Sequence, residues 1–205
     1  MILPKAWLRE RKKDYFYRRS KEERLRSRAA YKLLEVVEKY NLIRPGDIVV
    51  DLGAAPGGWM QATLKATGEK GFVLGVDVKT IEPLEAENNR SIILDIAEPR
   101  TVETIQSFLP RKADVVISDV SPNISGIWEV DHSRQIDLAR CSFEIATRVL
   151  RTGGNFFVKV FQGALLDDYV SDMRRRFGFV RLVKPAASRK KSSELFVLGL
   201  RKKQN

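Results

Sequence analysis

The feature that most constrains the fold is a regular alternation of short apolar runs with amphipathic segments. The apolar runs are rich in Val, Ile and Phe; examples are DIVVDLG (47–53), FVLGVDV (72–78), ADVVISDV (113–120) and NFFVKVF (155–161). Strands of this composition, separated by helices, are typical of a mostly parallel sheet covered on both faces. The pattern therefore predicts an α/β fold, a Rossmann-like sandwich of about seven strands.

The segments between these strands have helical periodicity. We expect helices over 28–40, 58–67, 100–109, 131–150 and 166–177. Gly153 and Gly154 are predicted to stop the fourth helix, and SIILDI (91–96) reads as a further strand. The last two predicted strands, 179–183 and 195–200, have no helix between them, so we expect an antiparallel edge.

Charge is unevenly distributed along the 205 residues. Residues 1–32 carry 12 Lys and Arg against 4 Asp and Glu, and residues 174–205 carry 11 against 1. The segment 33–173 has a net charge of −7, although the whole chain has +11. We predict a basic N-terminal arm (1–27) followed by one domain (28–205). Dense basic ends favour a polyanion partner, RNA or DNA, over a merely solubilising tail.

Several protein classes are excluded. No apolar run approaches the roughly 20 residues of a membrane helix, and the apolar start is interrupted by Lys5 and Arg9, unlike a signal peptide. One cysteine, Cys141, and one histidine, His132, allow neither an internal disulfide nor an ordinary Cys/His zinc site. We therefore expect a cytoplasmic protein without a membrane or metal partner. We also expect it to be a monomer.

A glycine-rich loop, DLGAAPGGW (51–59), follows the first strand. It lacks the G-x-G-x-x-G of a dinucleotide site, and the chain has no P-loop motif. Gly53 and Gly57 allow a ligand to approach the backbone closely, and Asp51 supplies an acceptor beneath it.

Acidic residues also end the next three strands. Asp77 is placed to accept hydrogen bonds from a ribose diol, and Asp95 to accept a hydrogen bond from an exocyclic amine. Asp119 follows the fourth strand. Any one of them alone is as readily a turn or helix-cap residue. Because ligands bind at the carboxyl ends of parallel strands, four acids without a phosphate loop predict a nucleoside ligand without phosphates, namely S-adenosyl-L-methionine.

Five motifs resemble the FtsJ/RrmJ (RlmE) family of ribose 2′-O-methyltransferases. They are SRAAYKLLE (27–35), DLGAAPGGW (51–59), SDVSPNISG (118–126), FFVKVFQG (156–163) and SSELFVLG (192–199). The resemblance spans roughly residues 10–200. It implies that 28–205 is an S-adenosylmethionine-dependent methyltransferase domain. It further implies a catalytic set, Lys32, Asp119, Lys159 and Glu194, and cofactor contacts at Gly57, Trp59, Asp77, Asp95 and Asp119.

The implied set makes chemical sense. A ribose hydroxyl is a poor nucleophile, so the enzyme must align it with the methyl group and help to remove its proton. Lysine serves as a base where burial or neighbouring cations favour its neutral form. Lys159, on a strand predicted to be central, suits that role, with Lys32 nearby. Asp119 is expected to orient Lys159, and Glu194 to hold Lys32.

The resemblance implies methylation of a uridine 2′-hydroxyl in large-subunit ribosomal RNA. Two alternatives stay open: a tRNA ribose 2′-O-methyltransferase, and a non-catalytic RNA-binding protein on the same fold. The catalytic set does not distinguish a ribosomal RNA substrate from a tRNA substrate. It does argue against a non-catalytic binding protein, which would not need these residues.

Overall fold

The computed structural model describes residues 15–189 and 192–204. Seven strands form one sheet: β1 (Ile48–Leu52), β2 (Phe72–Asp77), β3 (Asn89–Ile93), β4 (Ala113–Ser118), β5 (Leu150–Phe161), β6 (Phe177–Val183) and β7 (Glu194–Lys202). Six helices lie within the described residues: α1 (Tyr15–Glu22), α2 (Ala30–Tyr40), α3 (Gly58–Thr67), α4 (Thr101–Phe108), α5 (Trp128–Val149) and α6 (Leu166–Arg176).

The strand order is β3-β2-β1-β4-β5-β7-β6. Strands β1 to β5 are parallel, whereas β7 pairs antiparallel with both β5 and β6. The predicted α/β sandwich with an antiparallel edge pair is confirmed. The structure adds that β7 inserts between β5 and β6, so β5 is a central strand.

Apolar side chains cover both faces of the sheet. On one face, α4, α5 and α6 contribute buried residues such as Ile105, Ile136 and Tyr169. On the other face, α2 and α3 contribute Leu33 and Trp59. The strands are therefore buried on both sides, which explains their nearly unbroken apolar composition.

The long helix ends within one residue of its predicted end, but the predicted role of Gly153 and Gly154 in stopping it is wrong. Helix α5 begins at Trp128 and ends at Val149, and β5 begins directly at Leu150 and contains both Gly153 and Gly154. The pairing of β4 with β5 is irregular here, and a Cβ on Gly154 would lie 2.9 Å from the Asp114 carbonyl oxygen. The glycines therefore permit a strand irregularity where the backbones approach closely, rather than a helix stop.

Part of the predicted basic arm packs on the domain. Residues 1–14 lie outside the described residues, but the Phe16 ring lies 5.5 Å from that of Tyr31, and the Arg26 N–H donates to Gln61 Oε1 at 2.8 Å. The arm's second half therefore contacts α2 and α3.

None of the helices in the described ranges has the length and apolar character needed to cross a membrane.

Candidate active site

A cavity of about 410 Å³ opens at the carboxyl ends of the parallel strands. Its wall includes four of the residues singled out from the sequence: Gly53, Asp77, Asp95 and Asp119. The volume lies within the usual range for small-molecule sites, roughly 300–1,000 Å³. The cavity therefore occupies the position expected for a ligand in an open α/β sheet.

Gly53 lets two loops meet at the cavity. Its φ is +76°, and an added Cβ would lie 2.8 Å from Val120 Cγ2 and 2.9 Å from the Val120 backbone nitrogen. Both the left-handed backbone and this close approach require glycine. The loops after β1 and β4 can therefore lie side by side.

Gly57, a predicted cofactor contact, also makes room for a neighbouring arginine. Its φ is +101°, and an added Cβ would lie 2.8 Å from Arg26 Nη1. The Arg26 guanidinium donates to the carbonyl oxygens of Pro56 (3.2 Å), Glu82 and Pro83 (2.7 Å). Arg26 thus ties the loop after β1 to the loop after β2. Gly57 leaves room for it and does not line the cavity.

Trp59 is a core residue in this structure. Its side chain is 3% exposed, its Nε1 donates to the Ala29 carbonyl at 2.7 Å, and its ring stacks on Phe157 with centroids 5.8 Å apart. The ring is not part of the cavity wall. Its observed contacts join the start of α2 to α3 and to the sheet.

Asp51 lies fully buried in β1. Neither carboxylate oxygen has a hydrogen-bond partner within the described residues. Burial raises its pKa well above the usual range, and the negative charges of Asp119 and Asp77 raise it further. The acceptor predicted beneath the ligand is present, but it does not itself line the cavity.

The carboxylates of Asp77 and Asp95 are fixed by backbone N–H groups. Asp77 accepts from Ala55 and from Lys79, each at 2.9 Å, and Asp95 accepts from Ala97 at 2.9 Å. A carboxylate has about four lone-pair sites, so both groups retain free acceptor positions. They therefore offer the cavity two fixed acceptors, Asp77 at the end of β2 and Asp95 just after β3.

Lys159 joins the cavity to the sheet interior. It is 5% exposed on β5, and its Nζ lies 3.1 Å from Asp119 Oδ1 and 2.7 Å from the Asp119 carbonyl oxygen. Since Asp119 also lines the cavity, this ion pair places the amine beside it.

Lys32 and Glu194 form a second ion pair. Lys32 Nζ lies 2.6 Å from Glu194 Oε1, and the two side chains are 13% and 15% exposed. The same carboxylate oxygen accepts from Ser188 Oγ at 3.0 Å.

Strand register brings the two pairs together. In the antiparallel β5–β7 pair, Lys159 lies opposite Phe196, and Phe161 lies opposite Glu194. Lys32 Nζ lies 5.7 Å from the centroid of the same Phe196 ring. Because alternate residues share a face, the structure brings Lys32, Asp119, Lys159 and Glu194 to one region.

Comparison with known proteins identifies the family. The model of the FtsJ-like methyltransferases matches residues 25–202, which is most of the chain. The protein belongs to the FtsJ-like methyltransferase family. The resemblance inferred from the five motifs is thereby confirmed.

Relatives of this FtsJ-like methyltransferase share close to half of its sequence. The "Ribosomal RNA large subunit methyltransferase E" of Methanococcus aeolicus is 50% identical over 95% of this chain and 72% of its own. The protein of the same name from Methanocaldococcus jannaschii is 46% identical over 96% and 82%. A Plasmodium falciparum crystal structure described as a ribosomal RNA methyltransferase has a TM-score of 0.79 at 26% identity, covering 88% of this chain and all of that one.

Three residues that shape the site of this FtsJ-like methyltransferase were missed in the sequence: Arg26, Asp131 and Gln135. Gln135 Nε2 donates to the carbonyls of Val120 (3.1 Å) and Lys159 (3.0 Å). Asp131 accepts from the Ser125 N–H and hydroxyl and the Gly126 N–H, which lowers its pKa. For Asp131 and Gln135 the sequence signal was that both are polar and lie four positions apart on the apolar face of α5.

Proposed function

We propose that this protein transfers a methyl group from S-adenosyl-L-methionine to a ribose 2′-hydroxyl, that of a uridine in large-subunit ribosomal RNA. The observation that carries the proposal is the Lys159–Asp119 ion pair, with Nζ and Oδ1 3.1 Å apart and Asp119 also in the cavity wall. One residue thus borders the ligand cavity and holds the amine of the candidate base.

The residues of the cavity fit S-adenosylmethionine. Asp77 has free acceptor positions suited to a ribose diol, and Asp95 has one suited to an exocyclic amine. The carboxylates of Asp77, Asp95 and Asp119 in the cavity wall favour a cationic ligand. When bound, S-adenosylmethionine supplies a methyl group on a positively charged sulfur. Gly53 and Asp77 would line its site, while Gly57 would keep the loop in place through Arg26.

The protein's own residues would align the hydroxyl and take its proton. In its neutral form, Lys159 Nζ would accept the 2′-hydroxyl proton while the methyl group passes to the hydroxyl oxygen. The carbon–sulfur bond would break and leave a neutral thioether. The Asp119 carbonyl and carboxylate fix the position of Nζ, and Gln135 holds the Lys159 backbone from the other side. Lys32, held by Glu194, supplies a cation for the ribose–phosphate backbone of the RNA. Such alignment supplies a large share of rate acceleration in transfer reactions.

The proposed substrate rests on charge and on the relatives. Two relatives at 46–50% identity carry the name of a large-subunit ribosomal RNA methyltransferase. The chain has a net charge of +11, concentrated at its two ends, as suits a polyanion. We propose that residues 1–27 act as a basic arm of the methyltransferase domain, and that the protein works as a monomer in the cytoplasm.

The test is transfer of tritiated methyl from S-adenosylmethionine to RNA that lacks the modification. Large-subunit ribosomal RNA, the assembled subunit and tRNA are assayed in parallel, and the labelled nucleotide is mapped. We expect label on a uridine ribose of the large-subunit RNA. Lys159→Ala should abolish the label while S-adenosylmethionine still binds.

Lys112→Ala is the matched control, because Lys112 is exposed just before β4, at the end of that strand opposite the cavity. It should leave transfer unchanged. Label confined to tRNA would overturn the proposed substrate. Near-normal turnover of Lys159→Ala at saturating RNA would overturn the proposed base.

A further inference from the structure

An exposed apolar surface adjoins the catalytic residues. Ten large hydrophobic side chains are exposed among the described residues, and four of them lie between positions 124 and 130. We call these four the Trp128 patch; they are Ile124 (64% exposed), Ile127 (59%), Trp128 (44%) and Val130 (36%). The patch continues the loop after β4 whose first residues line the cavity. Apolar surface concentrated in this way marks a binding site more often than single exposed residues do.

Trp128 is held in a fixed orientation. Its ring stacks on His132, with centroids 6.0 Å apart and planes 20° apart, and on Phe161, at 6.0 Å and 24°. His132 is only 5% exposed, and its Nε2 accepts from the Leu165 N–H at 3.1 Å. Trp128 is still 44% exposed, and a ring already held by two others loses little further freedom when a third ring stacks on its open part.

Phe161 connects the patch to the catalytic residues. It lies two residues after Lys159 on β5 and opposite Glu194 on β7. Residues two apart on a strand are separated by about 6.6 Å. Their side chains also lie on the same face of the sheet. A ribose with its 2′-hydroxyl at Lys159 therefore brings its base within reach of the Phe161 and Trp128 rings.

The backbone below the patch is also fixed. Asp131, which is 4% exposed, accepts from the Ser125 N–H (2.8 Å), the Ser125 hydroxyl (2.7 Å) and the Gly126 N–H (3.1 Å). These bonds tie the loop that carries Ile124 and Ile127 to the first turn of α5. The exposed rings and side chains thus rest on an ordered loop.

We propose that Trp128, together with Phe161, is a stacking site for the unpaired base of the nucleotide whose ribose is methylated. The inference rests on the proposed function and adds how the target nucleotide is held. Aromatic side chains are the usual platform for unstacked RNA bases, and an enzyme that acts inside a nucleic acid gains access by splaying its nucleotide out. Lys32 attracts the ribose–phosphate backbone, while the uncharged rings take the base.

The first experiment is tryptophan fluorescence, which needs no methyl transfer. A Trp7→Phe background leaves buried Trp59 and exposed Trp128 as the two emitters. Unstructured oligouridine should quench the exposed component, and Trp128→Phe should remove that quenching. An unquenched signal at saturating RNA would overturn the proposal.

The second experiment is an affinity series. Trp128→Ala should weaken RNA binding about 5- to 150-fold, the range for loss of one stacked base. Trp128→Phe should stay within about threefold of the parent. Phe108→Ala is the control, because Phe108 is a 37% exposed aromatic at the end of α4, away from the cavity. A circular dichroism melt of each variant separates weakened binding from impaired folding.

The deciding experiment removes the base instead of the protein ring. The mapped target nucleotide is replaced by an abasic one that keeps its ribose. The parent should then bind the abasic RNA as weakly as Trp128→Ala binds the intact RNA. Trp128→Ala should bind both RNAs with the same affinity. If Trp128→Ala lowered the affinity by the same factor on intact and on abasic RNA, the Trp128 ring would contact something other than the target base. A dimer that Trp128→Ala dissolves would also overturn the proposal, in favour of a contact between two copies. If the parent methylates no RNA, the proposed function fails, while the quenching result still reports on stacking.

Discussion

The buried carboxyl of Asp51 gives the protein a specific pH dependence. Its pKa in the folded chain is raised, first by burial and then by Asp119 and Asp77, so folding takes up a proton above the ordinary pKa of aspartate. The contribution of this group to stability is therefore complete at low pH and declines as the pH rises towards the folded pKa. Each pKa unit of difference corresponds to about 1.4 kcal/mol.

We predict that Asp51→Asn removes this decline, so that its free energy of unfolding falls less steeply with rising pH than that of the parent. Asp114→Asn should change the pH dependence of stability in the opposite direction. Burial raises the pKa of Asp114, but hydrogen bonds from Arg111, Ile48 and Arg151 outweigh burial and lower it. The stabilising effect of the Asp114 carboxylate is therefore present at neutral pH and is lost in acid. Urea unfolding from about pH 2 to pH 8 measures both, and equal slopes for the parent and Asp51→Asn would contradict the assignment.

Asp77 provides a test of the cofactor site. Asp77→Ala removes the acceptor offered to a ribose diol and the two bonds to the N–H groups of Ala55 and Lys79. We expect S-adenosylmethionine to bind at least about tenfold more weakly, since a hydrogen bond to a charged group contributes about 1.5–3 kcal/mol. Isothermal titration calorimetry measures the change. Asp168→Ala, an exposed acid on α6, should bind normally. Unchanged affinity in Asp77→Ala would place the ribose elsewhere.

At the scale of elements, Arg26 fastens two loops of the cavity. Its guanidinium donates to the carbonyl oxygens of Pro56, Glu82 and Pro83, in loops that follow β1 and β2. Arg26→Ala should loosen both loops and weaken S-adenosylmethionine binding although Arg26 does not line the cavity. Gly57→Ala should do the same, because its Cβ would displace Arg26.

Limited proteolysis within residues 53–57 and 79–85, together with calorimetry, checks this prediction. Arg44→Ala, an exposed arginine before β1, is the control. A normal affinity and an uncut loop in Arg26→Ala would show that the loops hold their shape without it.

At the scale of the whole molecule, the basic ends should set the salt dependence of RNA binding. Deleting residues 1–14 removes Lys5, Arg9, Arg11, Lys12 and Lys13 and leaves every strand in place. For every RNA phosphate that these cations neutralise, the deletion should flatten the plot of log K against log salt concentration by about 0.7–0.9. Filter binding over a salt series measures the slope, and S-adenosylmethionine affinity should not change. An unaltered slope would mean that these cations do not touch the RNA.

Local pattern was enough to predict the order of strands and helices and the acids at the strand ends. Apolar periodicity depends on neighbouring residues, so it predicted an α/β sandwich that the structure confirms. It also placed Asp77, Asp95 and Asp119 together, because parallel strands end at one edge. It failed at Gly153 and Gly154, where a close approach of Asp114 decides the backbone and no neighbouring residue signals it.

What only the tertiary structure decided is which distant residues meet. Lys32 and Glu194 are 162 positions apart, and they pair because β7 inserts between β5 and β6. Trp59 became a core residue because α2 and the sheet close around it, and Gly57 faces Arg26 because α1 and the residues after it fold back over the loop. These outcomes depend on how whole elements pack. Packing is settled by shape and burial across the molecule, and no stretch of sequence contains that information locally.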